Sequence, residues 1–326
     1  MVKCSTSKKE EALEGTGIPL VHPDSIGTEM AVVGGTAWMF CREILSDQFD
    51  LLVVDEAGQM SLANLLVMAR CARSILLVGD QQQLAQPSQA DHPGASGESC
   101  LEYLMQGEAV VPPDRGVFLS TSWRMETSTT ALISELFYER RLQAAEANGE
   151  NRIEWAKPCP GSTGAPLGDQ GVIVEPVVHG GCSVCSQPEI ERIETIVDAL
   201  LGGRYWHARG SGLIGADEIL VIAPYNVQVN RLRQRLKGKA RVGTVDKFQG
   251  QEAPVAILSL TASSAEEAPR GLGFLLSANR LNVAMSRAQC LSIVVGSPTL
   301  AAGSANNVEE AEQLNSLCRI IQASQT

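Results

Sequence analysis

The sequence has no apolar run as long as a membrane-spanning helix, and its first thirty residues contain Lys3, Lys8 and Lys9 but no hydrophobic stretch of a secretory signal. Its nine cysteines are odd in number and scattered along the chain. Without an export signal, they are expected to be reduced thiols and not a disulfide framework. These absences argue against a membrane protein or a disulfide-stabilised secreted protein, and we predict a cytoplasmic protein with no membrane partner.

A surplus of positive charge is also missing. The chain has 26 Lys and Arg against 37 Asp and Glu, a formal net charge of −11, which argues against binding nucleic acid by bulk charge. The acidity belongs to residues 1–170, with 12 basic and 23 acidic side chains, whereas residues 171–326 carry 14 of each. The second half also holds a basic cluster, which is typical of a solvated helix face and turn. Its members are Arg231, Arg233, Arg235, Lys237, Lys239 and Arg241.

The 326 residues are enough for two domains of ordinary size, and 44% hydrophobic with 19% charged residues is the composition of a globular protein. Short apolar runs alternate with segments of helical period, which predicts parallel sheets with covered faces in two units. The predicted strands are 51–54, 74–78, one starting at 117–119, 171–176, 219–223, 242–245, 255–260 and 291–295. The predicted helices are 62–71, 128–140, 189–201, 227–237, 279–288 and 308–323, and residues 144–170 are predicted to be loop.

The segment FDLLVVDEAGQ, residues 49–59, organises the first half. Its apolar run predicts a buried parallel strand that delivers Asp55 and Glu56 to the carboxyl end of a sheet, where ligands bind in open α/β folds. In phosphate-cleaving ATPases an acid there holds Mg²⁺ and a neighbouring acid positions or activates the attacking water. A surface turn gives the same letters, so this segment alone leaves both interpretations open.

Other polar groups follow predicted strands in the same way. Residues 79–84, GDQQQL, include glutamines that can bond a phosphate oxygen and a water at once. The segment 34–36, Gly-Gly-Thr, allows the backbone to approach a ligand closely, or is a plain strand-to-helix turn. Trp123 offers a stacking face and Arg124 a planar fork suited to phosphate; the alternative is a half-buried Trp beside a surface ion pair.

Six segments in order resemble superfamily-1 DNA/RNA helicases, in the branch that includes the nonsense-mediated-decay helicase and its bacterial relatives. They are VVDEAGQ (53–59), VGDQQQLAQP (78–87), SWRM (122–125), APYNVQVNRLR (223–233), VGTVDKFQGQE (242–252) and RLNVAMSRA (280–288). The resemblance covers residues 32 to 296. It is strongest to bacterial proteins that join such a core to a RecB-like nuclease, although no nuclease sequence is evident here.

The resemblance implies an α/β fold of two RecA-like parallel-sheet lobes, residues 1–116 and 117–326, the first truncated at its N-terminus. It implies an ATP-dependent helicase that takes ATP and Mg²⁺ between the lobes and acts on single-stranded DNA or RNA. Asp55 would hold Mg²⁺, Glu56 would activate water, and Gln83 would sense the γ-phosphate from the first lobe. Arg124 and Arg287 would reach that phosphate from the second lobe, with Arg287 as the arginine finger.

The same resemblance assigns the remaining site residues. Trp123 stands where the family usually has Tyr and would stack on the adenine. Glu252 would contact the ribose, and Gln249 and Gly250 would shape the same edge. A single strand would run across both lobes with little sequence preference, bordered by the basic cluster. The residues that would line this track are Thr36, Pro224, Tyr225, Gln228 and Thr244.

One departure from the family is large. No GxxxxGK[ST] phosphate loop occurs, because 34–36 lacks the Lys and Gly238-Lys239 lacks the rest. We therefore expect the C-terminal part of a longer helicase, with its front in the same or a partner chain, that alone binds ATP poorly and hydrolyses little or none. We also expect the first 115 residues to expose apolar sheet surface. The alternative is a complete, non-catalytic remnant that binds nucleic acid or a partner.

An HxxCxxC run occurs at His179, Cys182 and Cys185. A structural metal needs about four ligands, and no second pair stands at useful spacing. The sequence therefore favours a loop with free thiols over a metal site.

Overall fold

A computed structural model describes residues 1–4, 16–27, 29–84 and 93–325, without the side chain of Cys4. The chain divides into two compact units. The first contains residues 1–81 and 85–108, and the second contains residues 82–84 and 109–326. The division therefore lies before the position predicted after residue 116.

The first unit contains short strands and helices. They are β1 (Val2–Cys4), β2 (Leu20–Val21), β3 (Val33–Gly34), α1 (Ala37–Phe40), β4 (Phe49–Val54), α2 (Leu62–Met68), β5 (Ala72–Leu77) and α3 (Cys100–Met105). β2, β1 and β3 form one parallel sheet, and β4 and β5 form another of two strands. Side chains begin both longer helices: Ser61 caps α2, and Ser99 and Glu102 form a capping box on α3.

The sheet of β4 and β5 is covered on one face only. Leu52 and Val54 lie in the core of the first unit, but Val53 is 54% exposed and its cross-strand partner Leu76 is 50% exposed. The prediction of a strand buried on both faces is therefore wrong for 51–54, and β5 is still more exposed. The predicted exposure of apolar sheet surface in this part of the chain is confirmed.

The second unit is larger. Its first elements are β6 (Thr121–Ser122), α4 (Thr127–Phe137), β7 (Gln143–Ala144), β8 (Arg152–Glu154), β9 (Gly171–Pro176), α5 (Gln187–Leu200), β10 (Arg204–His207) and β11 (Gly210–Leu213). They are followed by β12 (Ile219–Ile222), α6 (Asn226–Leu236), β13 (Arg241–Gly243), β14 (Ala253–Ser259), α7 (Gly271–Leu275), α8 (Ala278–Met285), β15 (Ala288–Gly296) and α9 (Val308–Ala323).

A five-stranded parallel sheet in the order β13-β12-β14-β15-β9 forms the centre of the second unit. Alternate residues of β14 enter opposite cores: Val255 and Ile257 pack with α5 and α6, whereas Ala256 and Leu258 pack with α4, α8 and α9. Both faces are thus covered, as continuous apolar strands require. The predicted α/β class with parallel sheets is confirmed.

Sequence patterns missed an antiparallel sheet in the order β11-β10-β8. β8 lies inside 144–170, where Gly and Pro predicted only loop. The strand predicted to start at 117–119 forms only at 121–122, where it pairs with β7. These short strands depend on tertiary pairing and not on a local apolar run. Within the described part of the chain, no helix is long and apolar enough to span a membrane.

The half-covered sheet of the first unit yields a matched pair of substitutions. Val53→Thr should leave the free energy of unfolding within about 0.5 kcal/mol and raise solubility, because it removes apolar surface that is already in water. Val54→Thr should cost about 1–3 kcal/mol, because Val54 is 4% exposed and its replacement buries a hydroxyl. Urea unfolding and precipitation by ammonium sulfate measure the two effects. Equal destabilisation by the two variants would contradict this account.

Candidate functional site

In the first unit, Asp55 and Glu56 follow directly on β4, and both side chains are exposed. Glu56 has a left-handed backbone, with φ of 53°. Its N–H donates to Asp55 Oδ1 over 2.9 Å, and Gln59 Nε2 lies 3.4 Å from Glu56 Oε2. The two acids therefore sit on a tight turn at the carboxyl end of the strand, where the sequence placed them.

Two glycines allow this turn to pack on the one that follows β5. A Cβ at Gly58 would lie 2.7 Å from the carbonyl oxygen of Asp80, and one at Gly79 would lie 2.7 Å from the nitrogen of Ala57. Both distances are shorter than real Cβ contacts, so larger residues would separate the turns. The close approach brings Asp55 and the end of β5 to one edge of the sheet.

The carboxylate of Asp55 is suited to the role of a Mg²⁺ ligand. Its carboxylate is exposed and makes no ion pair with any described residue, and its oxygens are the hard donors that Mg²⁺ prefers. The described residues contain no cluster of three His, Cys, Asp or Glu side chains suited to a metal. Mg²⁺ does not require one, since it usually takes one or two carboxylates together with substrate phosphates and water.

Gln83 belongs to a different unit from these acids. Its contacts place it, with residues 82 and 84, in the second unit. There Asn279 Nδ2 donates to the carbonyl of Gln83, and Asn282 Nδ2 donates to the carbonyl of Gln82 over 2.9 Å. α8 of the second unit thus holds this stretch of backbone, and the role of the Gln83 side chain at the γ-phosphate stays a prediction.

In the second unit, Glu252 is the centre of a polar cluster, which we call the Glu252 cluster. Arg124 Nε donates to one carboxylate oxygen over 2.5 Å. Arg209 and Gln289 Nε2 donate to the other, the latter over 3.1 Å. Burial raises the pKa of Glu252, but the hydrogen bonds and positive charges of Arg124 and Arg209 outweigh it and hold this pKa below its usual value. Glu252 is therefore an anion that keeps Arg124 in place.

Arg287 joins the same edge from the start of β15. Its side chain is buried, with the residue only 2% exposed. Nε donates to the carbonyl of Val283 over 3.1 Å, and a terminal nitrogen donates to that of Gln251 over 3.2 Å. Arg124 also donates to the carbonyl of Ser286 over 3.3 Å. The structure thus brings together three predicted residues, Arg124, Glu252 and Arg287, from distant parts of the chain.

The other predicted nucleotide contacts lie near this cluster in the chain. Trp123 is 70% exposed and borders a shallow depression with Thr121 and residues 144–147, so its ring face is available for stacking. Gln249 ends a 3₁₀ turn, and Gly250 follows it with φ of 70°, a conformation that favours glycine.

The residues predicted to line the nucleic-acid track lie in both units. Thr36 is exposed at the start of α1 in the first unit. In the second unit, Pro224 and Thr244 are half-buried at the carboxyl ends of β12 and β13. Tyr225 is only 8% exposed, and its ring lies 5.6 Å from that of Phe274.

Gln228 does not line an exposed track. It is fully buried, where its amide bonds the backbone of Ser186 and donates to Ser259 Oγ over 3.0 Å. Ser259 Oγ in turn donates to buried Glu189, which also accepts from the N–H of Thr261 over 3.0 Å. The assignment of Gln228 to nucleic acid is therefore corrected: it joins α6 to β14.

His179 belongs to this buried network. Its two ring nitrogens lie 2.7 Å from Ser263 Oγ and 2.9 Å from Glu189 Oε1. The N–H of Cys182 donates to the same serine hydroxyl. Both ring nitrogens of His179 therefore have partners within the fold, and the absence of a metal from the HxxCxxC run stays a prediction. Cys182 and Cys185 are free thiols, and burial raises the pKa of Cys185.

Most of the basic cluster is engaged within the second unit. Arg235 of α6 pairs with Glu194 of α5 at 2.7 Å, and Lys239, in the turn after α6, pairs with Asp198 of α5 at 2.6 Å. Two further members, Arg233 and Arg241, donate to backbone carbonyls. These contacts agree with the solvated helix face that the sequence indicated.

Sequence reasoning missed Arg209 and Phe274. Arg209 lies in the turn between β10 and β11, and the only local signal is an aromatic strand followed by glycine. Burial lowers the pKa of neighbouring His207, and the charge of Arg209 adds to that effect. Phe274 lies between two matching segments, so neither motif included it.

Comparison with known proteins agrees with these motifs. Residues 96–299 match a protein family described as AAA domain, and residues 2–86 match a second family with the same description. The putative helicase MOV-10 of Gallus gallus is 31% identical over 259 residues, which are 68% of this chain and 26% of that protein. The Regulator of nonsense transcripts 1 homolog of Drosophila melanogaster is 28% identical over 270 residues, 78% and 21% of the two chains.

Among solved structures, the PRRSV helicase is 14% identical with a TM-score of 0.41, and the match covers 98% of this chain and 58% of that one. The chain thus spans less than two thirds of the length of each of these proteins. On the family matches and the ordered motifs, the chain belongs to the superfamily-1 helicases that carry AAA domains, in the branch of the nonsense-mediated-decay helicase.

Proposed function

We propose that this chain is part of an ATP-dependent helicase that moves along single-stranded DNA or RNA and hydrolyses ATP between its two RecA-like lobes. The observation that carries the proposal is the convergence of Arg124, Arg287 and Glu252 at one edge of the second unit. Two arginines beside one acid suit the phosphates and the sugar of a nucleotide.

In this proposal the first unit supplies the acids. Asp55 holds Mg²⁺, which when bound neutralises charge on the phosphates of the nucleotide. Glu56 accepts the proton of the attacking water, a task that suits an exposed carboxylate fixed on a tight turn. Gln59, within hydrogen-bond reach of Glu56, limits the directions that its carboxylate can take.

The second unit supplies the cations. Arg287 is held by backbone carbonyls and is only 2% exposed, so in this proposal it must be uncovered before it can contact phosphate. Arg124 differs, because it must exchange Glu252 for a phosphate oxygen. Arg209 and Gln289 remain on Glu252 after that exchange and keep its charge compensated.

A second candidate function is nucleic-acid binding without catalysis, which the absence of a GxxxxGK[ST] sequence favours. The retained Asp55, Glu56, Arg124 and Arg287 favour the catalytic proposal, since a binding module has little physical need for them. The catalytic proposal expects ATP hydrolysis and the binding proposal does not, whereas both expect the chain to bind single-stranded nucleic acid.

ATP hydrolysis is measured for the chain alone and for the chain joined to a segment that supplies a phosphate-binding GxxxxGK[ST] loop. We expect little hydrolysis from the chain alone and ATPase activity stimulated by single-stranded nucleic acid from the joined protein. In the joined protein, Glu56→Gln should lower kcat about 10²–10⁴-fold, because it removes the proton acceptor, and should leave strand binding unchanged. Glu43→Gln, at an exposed acid of the same unit, is the matched control. No stimulated activity in the joined protein would sink the catalytic proposal.

The Glu252 cluster predicts a pH-dependent stability. Because the folded-state pKa of Glu252 is lowered, its stabilisation is present above the unfolded pKa and is lost as the pH falls through the folded one. Glu252→Gln should therefore cost about 1–3 kcal/mol at pH 7, and the difference from the unchanged chain should shrink in acid. Urea unfolding at a series of pH values measures it. Glu154→Gln, at an exposed acid without an ion pair among the described residues, should show neither effect.

A further inference from the structure

Two arginines stack on Phe274, which lies half-buried on α7. The guanidinium carbon of Arg270 is 3.7 Å from the ring centroid, and that of Arg280 is 4.3 Å from it. Two other cation–π contacts in this unit are longer and involve one arginine each: Arg141 on Phe118 at 5.5 Å and Arg152 on Trp206 at 5.0 Å. The convergence of two guanidinium groups on one ring sets Phe274 apart from them.

These arginines carry more positive charge than their surroundings neutralise. Arg280 has one acidic neighbour, Asp246, at 3.9 Å, and that carboxylate is largely exposed. Arg270 is exposed and forms no ion pair with any described residue. Burial lowers the pKa of Arg280, and the nearby charge of Arg270 lowers it further. An anion bound beside these arginines would offset their positive charge.

Arg270 and Arg280 lie beside residues that the motifs assign to the nucleic-acid track. Arg280 and Pro224 line one small cavity of the second unit. Tyr225 packs on Phe274, and its buried hydroxyl has no hydrogen-bond partner among the described residues. Asp246, which faces Arg280, follows Thr244 by two positions. The arginines thus stand at the carboxyl edge of the sheet, next to Pro224 and Tyr225.

A guanidinium that stacks on an aromatic ring can still donate its N–H groups to another partner. Each guanidinium carbon lies within cation–π distance of the ring centroid, and a guanidinium held in this way keeps N–H donors that match the oxygens of a phosphate. Contacts of this kind grip the backbone of a single strand without reading its sequence.

We propose that Arg270 and Arg280, held on Phe274, form a phosphate clamp for the backbone of a single-stranded nucleic acid. The clamp rests on the proposed function and adds to it Arg270 and the positioning aromatic residue Phe274, which lie outside the motif segments, and a strand-binding role for Arg280, the first residue of segment 280–288. DNA and RNA share the phosphodiester that it grips, so both should bind.

The test measures binding of the full chain to fluorescein-labelled oligothymidylate and oligouridylate of about 15 nucleotides, over a range of salt concentrations. Arg270→Gln and Arg280→Gln should each weaken binding and reduce the slope of log affinity against log salt by about 0.7, the value for one lost phosphate contact on a single strand. Phe274→Leu, which keeps an apolar side chain but removes the stacking surface, should also weaken binding. Arg141→Gln is the matched control, because it removes another stacked arginine of this unit.

The outcomes separate the clamp from the proposed function. Unchanged affinity and slope in Arg270→Gln and Arg280→Gln overturn the clamp alone, whereas no strand binding by the unchanged chain overturns both. Arg270 is exposed, so its variant should fold, and thermal melting by circular dichroism checks this. A fluorescent ATP analogue provides a further arm: equal loss of ATP and strand binding in Arg270→Gln would assign the arginines to triphosphate and overturn the clamp.

Discussion

Burial of the central parallel sheet on both faces is the constraint on which the second unit depends. β14 and β15 are buried along their whole length, so a polar group can reach solvent only beyond the strand ends. Glu189 shows how a charge inside this fold is accommodated, since serine and histidine side chains and the N–H of Thr261 surround its carboxylate. Apart from buried Gln228 on α6, the predicted nucleotide and nucleic-acid residues of this unit lie near the ends of β-strands and in the turns beyond them.

The first unit lacks this double coverage. Its two-stranded sheet has a buried face, with Leu52 and Val54, and an exposed apolar one, with Val53 and Leu76. Isolated two-stranded sheets are marginally stable in water, so the turns that carry Asp55 and Glu56 depend on backbone packing around Gly58 and Gly79. Substitutions at those glycines would disturb the acids without touching them.

Local patterns predicted what depends on local chemistry. Continuous apolar runs gave the strands near 255–260 and 291–295, and the strand before Asp55 placed that acid at the end of a sheet. They could not reveal that Gln228 is buried, because its partners, Ser186 and Ser259, lie 42 and 31 residues away. The pairing of Arg124 with Glu252 joins residues 128 positions apart and likewise required the folded chain.

One short segment, residues 244–252, carries contacts of both proposed sites. Near its start, Asp246 faces Arg280 of the phosphate clamp. At its end, Gln251 accepts from Arg287 through its carbonyl, and Glu252 holds Arg124. Arg241 donates to the carbonyl of Glu252 and so fixes this end against β13. Because the exchange of Arg124 from Glu252 to phosphate would act directly on this segment, any coupling between nucleotide and strand has a continuous covalent and hydrogen-bonded route within the second unit.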